Sequence, residues 1–405
     1  MTPWVESKPL GEDDYRELRK SVIFDCGKWD PQVEDTNTIA NVPIVLTRAA
    51  WCELQTIAEA LHSEAIAAEQ ELLERPDLQA RLGIPRPLLR ALEQARPRGD
   101  SDVRVMRFDF HYTRAGWMIS EVNNDVPGGF NEATGMAQLF AALYPATSSP
   151  GDPAGELARR IVAGAGPGAA VALVHATAYT DDRQVMVYLG RRLEEAGLQA
   201  VLVAPDQVVW NGGRPKVASE PHSGPMDYLV RFFPVEWMPN LSRRSGWTNY
   251  LSSRTPASNP GSAILSQSKR LPIVWDQLKA KLPTWRRALP ETRCPKTVSW
   301  ATDEEWVLKP AFGRVGDGVG LRGQVDAKDW SRIARDARTN PDGWIAQKRF
   351  DAVAANGGIY PCLGVYTVSG RAAGIYGRVA GRPLIDHRAM DTAVLVEQDP
   401  MQVCK

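Results

Sequence analysis

The chain has 405 residues, and its 48 lysines and arginines balance its 48 aspartates and glutamates, so the formal net charge is zero. This balance gives no electrostatic reason to expect a nucleic acid or an anionic membrane as a partner. No apolar run is long enough to span a bilayer, and the length predicts two or three domains.

The N-terminus and the cysteines predict a cytoplasmic protein. The first twenty residues carry acids and lack the apolar stretch of a secretory signal. The five cysteines are scattered and form no Cys-x-x-Cys pair. Neither a disulfide framework nor a structural zinc site is therefore expected, and a reducing compartment fits this pattern.

Residues 1–100 are predicted to be a mainly helical region packed on the core. Apolar side chains recur there at three- and four-residue spacing, as from Trp51 through Leu54 and Ile57 to Leu61.

A β-hairpin is predicted next, in the stretch RFDFHYTRAGWMISEVNND. Alternation places Arg107 and Asp109 on one face of the first strand, and Glu121, Asn123 and Asp125 on one face of the second. Carboxylate and amide oxygens suit magnesium, whereas a charged, solvent-exposed sheet face is the alternative. Asparagine is a poor strand former, and three acids on one face repel each other without a cation, so the pattern favours a metal.

A parallel α/β lobe is predicted for residues 165–240. The apolar strand AAVALVHA is followed by the amphipathic helix DDRQVMVYLGRRLEEAGL and by the strands QAVLVAP and DYLVRFF. The stretch TSSPGDPAG is predicted to be a short linker. It separates this lobe from residues 101–150, which hold the hairpin and a helix over about 132–144.

The segment over residues 255–400 joins two lysines to a glycine-rich loop. Lys309 stands at the end of the predicted strand WVLK, and the loop GRVGDGVG follows it. Such glycines let a backbone close over an anion. The P-loop and dinucleotide fingerprints are absent, however, and a glycine-rich turn between two strands is the alternative. Lys269 precedes the predicted helix LPIVWDQLKAKL, where the helix dipole disfavours a cation unless an anion lies near.

The strands at the C-terminal end are DGWIAQKRF, CLGVYTVSG and AAGIYGRVAG, which we expect to complete one antiparallel sheet. Arg378 lies near the end of the last of them, where an ordinary surface arginine is the simpler interpretation of the residue alone. Taken together, the lysines, the glycine loop, the acids and the arginines suit phosphoryl transfer.

These motifs, in this order, resemble the circularly permuted ATP-grasp enzymes, and in particular the synthetase domain of glutathionylspermidine synthase. The resemblance rests on RFDF, EVNNDVPGGFNEA, QSKRLPIVWD, VLKPAFGRVG, IAQKRF and GIYGR, and it covers about residues 100–380. It implies an α+β and α/β fold, with permuted ATP-grasp lobes over 255–400 and the 165–240 lobe in addition. The amidase domain that often accompanies the family is expected to be absent.

The resemblance also implies roles for single residues. The positions that match Asp109, Glu121 and Asn123 bind magnesium in these enzymes. The positions that match the following residues bind ATP: Lys269, Lys309, Gly313, Gly316, Gly318, Gln347 and Lys348. Catalysis is implied for three arginines. Arg107 matches the contact to the transferred phosphoryl group, Arg378 matches the residue that stabilises the tetrahedral intermediate, and Arg314 belongs to the glycine loop that closes over the phosphates. Substrate contact is expected at Glu132 and Asp125.

The implied activity is an ATP-dependent carboxylate–amine ligase that forms an amide through an acylphosphate and releases ADP and phosphate. Its partners would be a small-molecule or peptide carboxylate and an amine, with a homo-oligomer left open. The alternatives are a kinase on the same fold, a non-catalytic nucleotide-binding protein, and a partner-binding protein with a solvated acidic hairpin. The segment VAGRPLIDHRAMDTAVLVEQ departs from the lysine-bearing segment of the family, and the loop after the acids lacks its serines. Both departures leave the acid and the amine unidentified.

Overall fold

The computed structural model describes residues 2–29, 32–33, 36–95, 99–219, 222–313, 318–323, 325–386 and 388–398. Its strands, in chain order, are β1 Trp4–Val5, β2 Gln32–Val33, β3 Thr36–Asn37, β4 Ile44–Leu46, β5 Val105–Thr113, β6 Gly116–Asn123, β7 Thr147–Ser148, β8 Ala170–His175, β9 Gln199–Val203, β10 Val208–Asn211, β11 Arg214–Ser219, β12 His222–Pro225, β13 Tyr228–Phe232, β14 Ala257–Ser258, β15 Thr292–Arg293, β16 Trp306–Pro310, β17 Trp344–Lys348, β18 Tyr360–Val368, β19 Arg371–Ala380, β20 Met390–Thr392 and β21 Val394–Glu397.

The α-helices are α1 Glu12–Phe24, α2 Arg48–Leu73, α3 Pro76–Gln79, α4 Arg86–Leu92, α5 Ala137–Leu143, α6 Pro153–Ala165, α7 Thr180–Glu195, α8 Asn249–Ser252, α9 Ile264–Gln267, α10 Leu271–Val274, α11 Pro283–Ala288 and α12 Ala327–Thr339. A π-helical turn, Asn131–Met136, leads directly into α5. The chain is thus a mixed α/β protein with several sheets.

The central sheet has the strand order β20-β19-β18-β5-β6, with neighbours antiparallel. Alternation along β5 sends Met106, Phe108 and Phe110 to one face, where all three are fully buried. Helix α2 packs on this face against β18 and β19. Its N-terminus is capped by Thr47, whose side chain accepts a hydrogen bond from the Ala50 amide at 3.1 Å. The predicted hairpin and the predicted N-terminal helices are therefore confirmed.

The parallel sheet has the order β14-β13-β8-β9. Its strands pair in parallel, and α7 connects β8 to β9. This confirms the predicted strand–helix–strand unit. Buried parallel strands such as β8 need helices to cover the faces of their sheet. The small antiparallel sheet β10-β11-β12 lies within the same stretch of chain and was not predicted.

Four local predictions are wrong. The strand expected after the glycine-rich loop is reduced to one isolated bridge, Leu308 to Gly320. The helix expected over residues 271–282 is reduced to α10 and the 3₁₀ turn Trp275–Gln277 that follows it. The C-terminal strands join two sheets, since β17 pairs with β15 and β16 whereas β18 and β19 pair with β5 and β20. The predicted linker supplies β7, which pairs with β21.

The cysteines bear on the expectation that the chain has no disulfide framework. Cys26, Cys294 and Cys362 are free. Cys52 is disulfide-bonded, so the expectation does not hold for that residue.

Candidate functional site

The predicted residues of the hairpin meet on one face of the central sheet, which we call the polar face. Asp109 of β5 lies directly opposite Glu121 of β6, and Arg107 lies opposite Asn123. On the other side of β5, Gly364 of β18 pairs with Asp109. The period-2 prediction is confirmed for these four side chains.

Arg107 and Asp109 form a two-point ion pair within this face. Arg107 Nε and Nη2 donate to the two Asp109 carboxylate oxygens at 2.8 and 3.0 Å, and Arg107 Nη1 donates to the Gly128 carbonyl at 2.6 Å. Asn123 Nδ2 donates to Asp109 Oδ2 at 3.1 Å. Asp109 is only 7% exposed. The alternative of a solvated acidic hairpin is therefore wrong, because the acid is buried among polar partners.

A β-bulge shapes the edge of the polar face. The register of β5 against β6 shifts between Asp109 and Phe110, and Ser120 is the residue left without a strand partner. Its carbonyl accepts a hydrogen bond from Lys309 Nζ at 2.9 Å. The extra residue thus frees a backbone oxygen for a lysine that comes from β16 of another sheet.

Two lysines from separate elements converge beside Glu121. Lys269 Nζ lies 3.3 Å from Glu121 Oε2 and donates to the Gly313 carbonyl at 3.0 Å. Lys309 Nζ donates to Gln347 Oε1 at 2.7 Å, and Gln347 Nε2 donates to Thr292 Oγ1 at 3.0 Å. The structure therefore brings the two predicted lysines next to the predicted acids.

Burial and charge set the titration of these groups. Burial raises the pKa of Asp109, and the Arg107 guanidinium offsets the rise only in part. Burial also acts to raise the pKa of Glu121, but the charges of Lys269 and Lys309 outweigh it, so that pKa lies below its usual value. Burial lowers the pKa of Lys309 to about 8, despite the attraction of Glu121. The face therefore holds charged groups whose protonation responds to one another.

Arg378 lies two strands from Asp109, on the same face. It pairs with Cys362 of β18, two residues before Gly364. Its Nη2 donates to the carbonyls of Asp386 and Ala389 at 2.7 and 3.3 Å. Its Nε lies 3.8 Å from Asp391 Oδ1. Arg378 is therefore a held, mostly buried residue, and not an ordinary surface arginine.

A small cleft of about 20 Å³, partly open to solvent, adjoins Lys269. Its walls mix apolar side chains with polar groups of the site: Ser120, Glu121, Val122, Ser266, Gln267, Ser268, Lys269, Pro272, Trp285, Leu289 and Gln347. Polar groups from several elements therefore converge at this cleft.

Other predicted residues lie in different settings. Arg314 and Gly316 fall outside the described residues. Gly318 takes a left-handed φ of 71°, as the residue after that gap in the glycine loop. Lys348 points away from the cleft, since its ammonium lies 3.1 Å from Asp303 Oδ2 and 4.6 Å from the centre of the Trp306 ring.

Asp125 does not share the polar face, because β6 ends at Asn123 and the alternation stops there. Its carboxylate is fully buried, pairs with Arg231 and accepts from the Val235 amide at 3.0 Å. These contacts engage both of its oxygens. Substrate contact by Asp125 stays a prediction that this setting does not favour.

Glu132 is buried beside residues that the sequence did not single out. Lys28 Nζ lies 2.8 Å from Glu132 Oε1 and 2.8 Å from Asp391 Oδ2. Tyr376 OH donates to Asp391 Oδ1 at 2.6 Å. Burial raises the pKa of Glu132, and the Lys28 charge opposes the rise. No motif marks Lys28, and only the fold brings it here.

Two kinds of feature are absent from the residues that the structure describes. Within them, no three His, Cys, Asp or Glu side chains gather as a metal site. The predicted magnesium set contains two carboxylates and one amide, so it is not of that kind. No helix of the described residues combines the length and the apolar character that a membrane span needs.

Comparisons with known proteins bear on the family and the fold. The family described as glutathionylspermidine synthase preATP-grasp matches residues 28–393. A glutathionylspermidine synthase from Crithidia fasciculata is 27% identical over 150 residues, which is 35% of this chain and 20% of that protein. The matched part thus spans about a fifth of that relative.

Two solved structures match this chain over most of its length. A glutathione synthetase-like effector from Globodera pallida, in its apo form, matches 94% of this chain and 96% of its own, with a TM-score of 0.63 and 12% identity. A putative gamma-glutamylcysteine synthetase from Methylobacillus flagellatus matches 78% and 84%, with a TM-score of 0.45 and 12% identity. The first similarity shows a shared fold, and the second is too low to argue from.

Proposed function

The chain belongs to the glutathionylspermidine synthase preATP-grasp family, and from this premise we propose that it is an ATP-dependent ligase that joins a carboxylate to an amine. The reaction would form an acylphosphate, which the amine attacks, and would release ADP and phosphate. A permuted ATP-grasp arrangement, with nucleotide bound beside the polar face, is part of the proposal.

One observation carries the proposal: cations from separate elements meet the carboxylates of the hairpin beside a small cleft. Lys269 and Lys309 converge on Glu121 and its neighbour Ser120, and Gln347 joins them in the cleft wall. We assign the lysines to the ATP phosphates and Gln347 to the border of the adenine. Two ammonium groups close together suit an anionic ligand such as a nucleotide better than a neutral ligand.

The residue types present fit magnesium, which would compete with Arg107 for the Asp109 oxygens. Asp109 and Glu121 lie directly opposite each other, and the charge of Glu121 contributes to the raised pKa of Asp109, so a divalent cation would relieve their repulsion. With Asn123 they offer hard oxygen donors, and phosphates and water would complete the coordination. The metal, when bound, supplies positive charge against the phosphate oxygens.

The two arginines of the polar face are assigned to the reacting centre. Arg107 would hold the phosphoryl group being transferred, and Arg378 would stabilise the oxyanion that forms when the amine attacks. Both guanidiniums are held by several partners before any substrate arrives. Donors fixed in place act on developing charge without the cost of reorganisation.

A screen of acids and amines with ATP and magnesium tests the proposal. The name of the Crithidia relative points to glutathione and spermidine as first probes, beside amino acids and other peptides. We expect ADP release that needs both an acid and an amine, and a product whose mass is their sum less water. A phosphorylated acid as the final product would indicate a kinase instead, and no ATP turnover with any pair would contradict the proposal.

A further inference from the structure

Lys28 is a buried lysine held between two acids next to the polar face. Its side chain is 3% exposed, and its ammonium lies 2.8 Å from both Glu132 Oε1 and Asp391 Oδ2. Two carboxylates around one ammonium form the arrangement that binds a protonated amine. Here the chain supplies that ammonium itself.

The acid pair is continuous with the arginines assigned to the reaction. Tyr376 OH donates to Asp391 Oδ1, and the Arg107 guanidinium carbon lies 4.9 Å from the centre of the Tyr376 ring. Arg378 Nε lies 3.8 Å from the same Asp391 oxygen. Glu132 and Asp391 therefore lie within one side chain of the two arginines that would surround the acylphosphate and the incoming amine.

Hydrogen bonds hold the backbone on both sides of Lys28, so the position of its ammonium group is fixed. Helix α1 ends at Phe24, and Gly27 takes a left-handed φ of 65°, which turns the chain inward. The Cys26 carbonyl accepts from Asn131 Nδ2 at 2.8 Å, and the Trp29 amide donates to Gln184 Oε1 at 2.6 Å.

The charges of the groups around Lys28 decide which ligands can bind there. Lys28 and Arg378 already balance Glu132 and Asp391, so the four groups sum to zero formal charge. A second cationic nitrogen would be buried there without a partner acid, which is costly. One acceptor is left over: Glu132 Oε2 is buried and has no hydrogen-bond partner among the described residues. It suits a single N–H donor.

We propose that Lys28 determines the amine specificity of this chain: it occupies the acid pair and so excludes amines that carry a second cationic nitrogen, as polyamines do. The inference rests on the proposed ligase function for its biological meaning. It makes this chain differ in substrate from a spermidine-joining relative.

Calorimetry with spermidine tests the role of Lys28 without any need for turnover. We expect no measurable binding to the wild-type protein at millimolar spermidine, and at least tenfold tighter binding to Lys28→Met and Lys28→Gln. Adding Glu132→Gln to Lys28→Met should erase the gain, because one of the two acids is then neutral. Spermidine binding to wild type as tight as to the variants would overturn the inference.

Stability and turnover supply the remaining controls. If both single variants fail to fold because two acids are left uncompensated, thermal melting of the wild-type protein with spermidine still decides, since a raised Tm would mean that the pair is open. In the ADP assay, the ratio of amino-acid to polyamine turnover should fall at least tenfold in Lys28→Met. Absence of turnover in every protein counts against the ligase function, whereas the binding comparison still judges Lys28.

Discussion

Glu121 is the residue at which the acids of the hairpin meet the lysines of the other elements. Its partner Lys269 lies 3.3 Å away, and Asp109 faces it across the hairpin. A carboxylate in this position can bind a metal ion and pair with the lysines at the same time, whereas an amide lacks the negative charge that both interactions need.

We expect Glu121→Gln to lower ADP production at least about a hundredfold. Even the loss of a residue that only contacts a metal ligand lowers metal affinity or activity about 10- to 100-fold. The substitution keeps the side-chain volume, so the melting temperature should stay near that of wild type. Glu17→Gln, at an exposed position on α1, is the matched control and should keep full activity. ADP production at the wild-type rate would show that the metal assignment is wrong.

Lys309 gives the site a pH dependence whose direction follows from burial. Because its pKa is lowered to about 8, the ammonium loses its proton as the pH rises through that value. Only the protonated form attracts phosphates, so ATP affinity should fall by up to about tenfold per pH unit above 8. Lys309→Arg keeps its charge at high pH and should remove this fall. Calorimetric Kd values that are equal on both sides of pH 8 would contradict the assignment.

At the scale of elements, the contact of β18 with β5 fixes Arg107. Gly364 lies opposite Asp109, and a Cβ at this glycine would come within 2.7 Å of Arg107 Cδ. The strand can therefore lie under the guanidinium only because position 364 has no side chain.

Gly364→Ala should push Arg107 from Asp109 and reduce ADP production at least about tenfold, since small misplacements of a positioning group are costly. The fold should persist, because the clash is with the far part of a flexible side chain. Gly224→Ala is the control: this glycine lies in β12, and a Cβ there meets nothing within 4 Å. Equal activity of the two variants would show that the close contact has no role.

The hairpin was predictable because its alternation is local. Arg107, Asp109, Glu121 and Asn123 follow the two-residue period of strands, and the structure keeps them on one face. The position of Asp125 was predicted wrongly, because the two-residue period was applied to residues beyond the end of β6. The bulge at Ser120 carries no sequence signal that the alternation could show, because it depends on how β5 and β6 pair.

At the scale of the whole molecule, a buried ion pair joins the central sheet to the parallel sheet. Asp125 follows β6 and Arg231 lies in β13, and both side chains are almost completely buried. Asn259 supports the junction, since its Nδ2 donates to the carbonyls of Val105 and Asp125 at 2.8 and 2.9 Å.

Arg231→Met should lower the free energy of unfolding by about 3–5 kcal/mol, because it leaves Asp125 buried without its partner. Arg16→Met breaks an exposed pair with Asp13 and should change stability by less than about 1 kcal/mol. Urea denaturation measures both. A loss at Arg231 as small as that at Arg16 would mean that the junction does not hold the two sheets together.

Long-range neighbours set the limit of prediction at this scale. The motifs placed the lysines and acids in one site because several of them occur together in one order. Lys28 and Glu132, however, are 104 positions apart, and nothing local in either segment signals that they meet. The domain boundaries drawn along the sequence stay a prediction, since the central sheet draws strands from both 101–150 and 255–400.

Calorimetric titration of the protein with ATP, in the presence and absence of millimolar magnesium, tests whether the polar face holds a nucleotide. We expect binding to the wild-type protein that depends on magnesium, because the proposed site uses both the lysines and a metal held by Asp109, Glu121 and Asn123. Absence of ATP binding at millimolar magnesium would contradict a nucleotide site on the polar face.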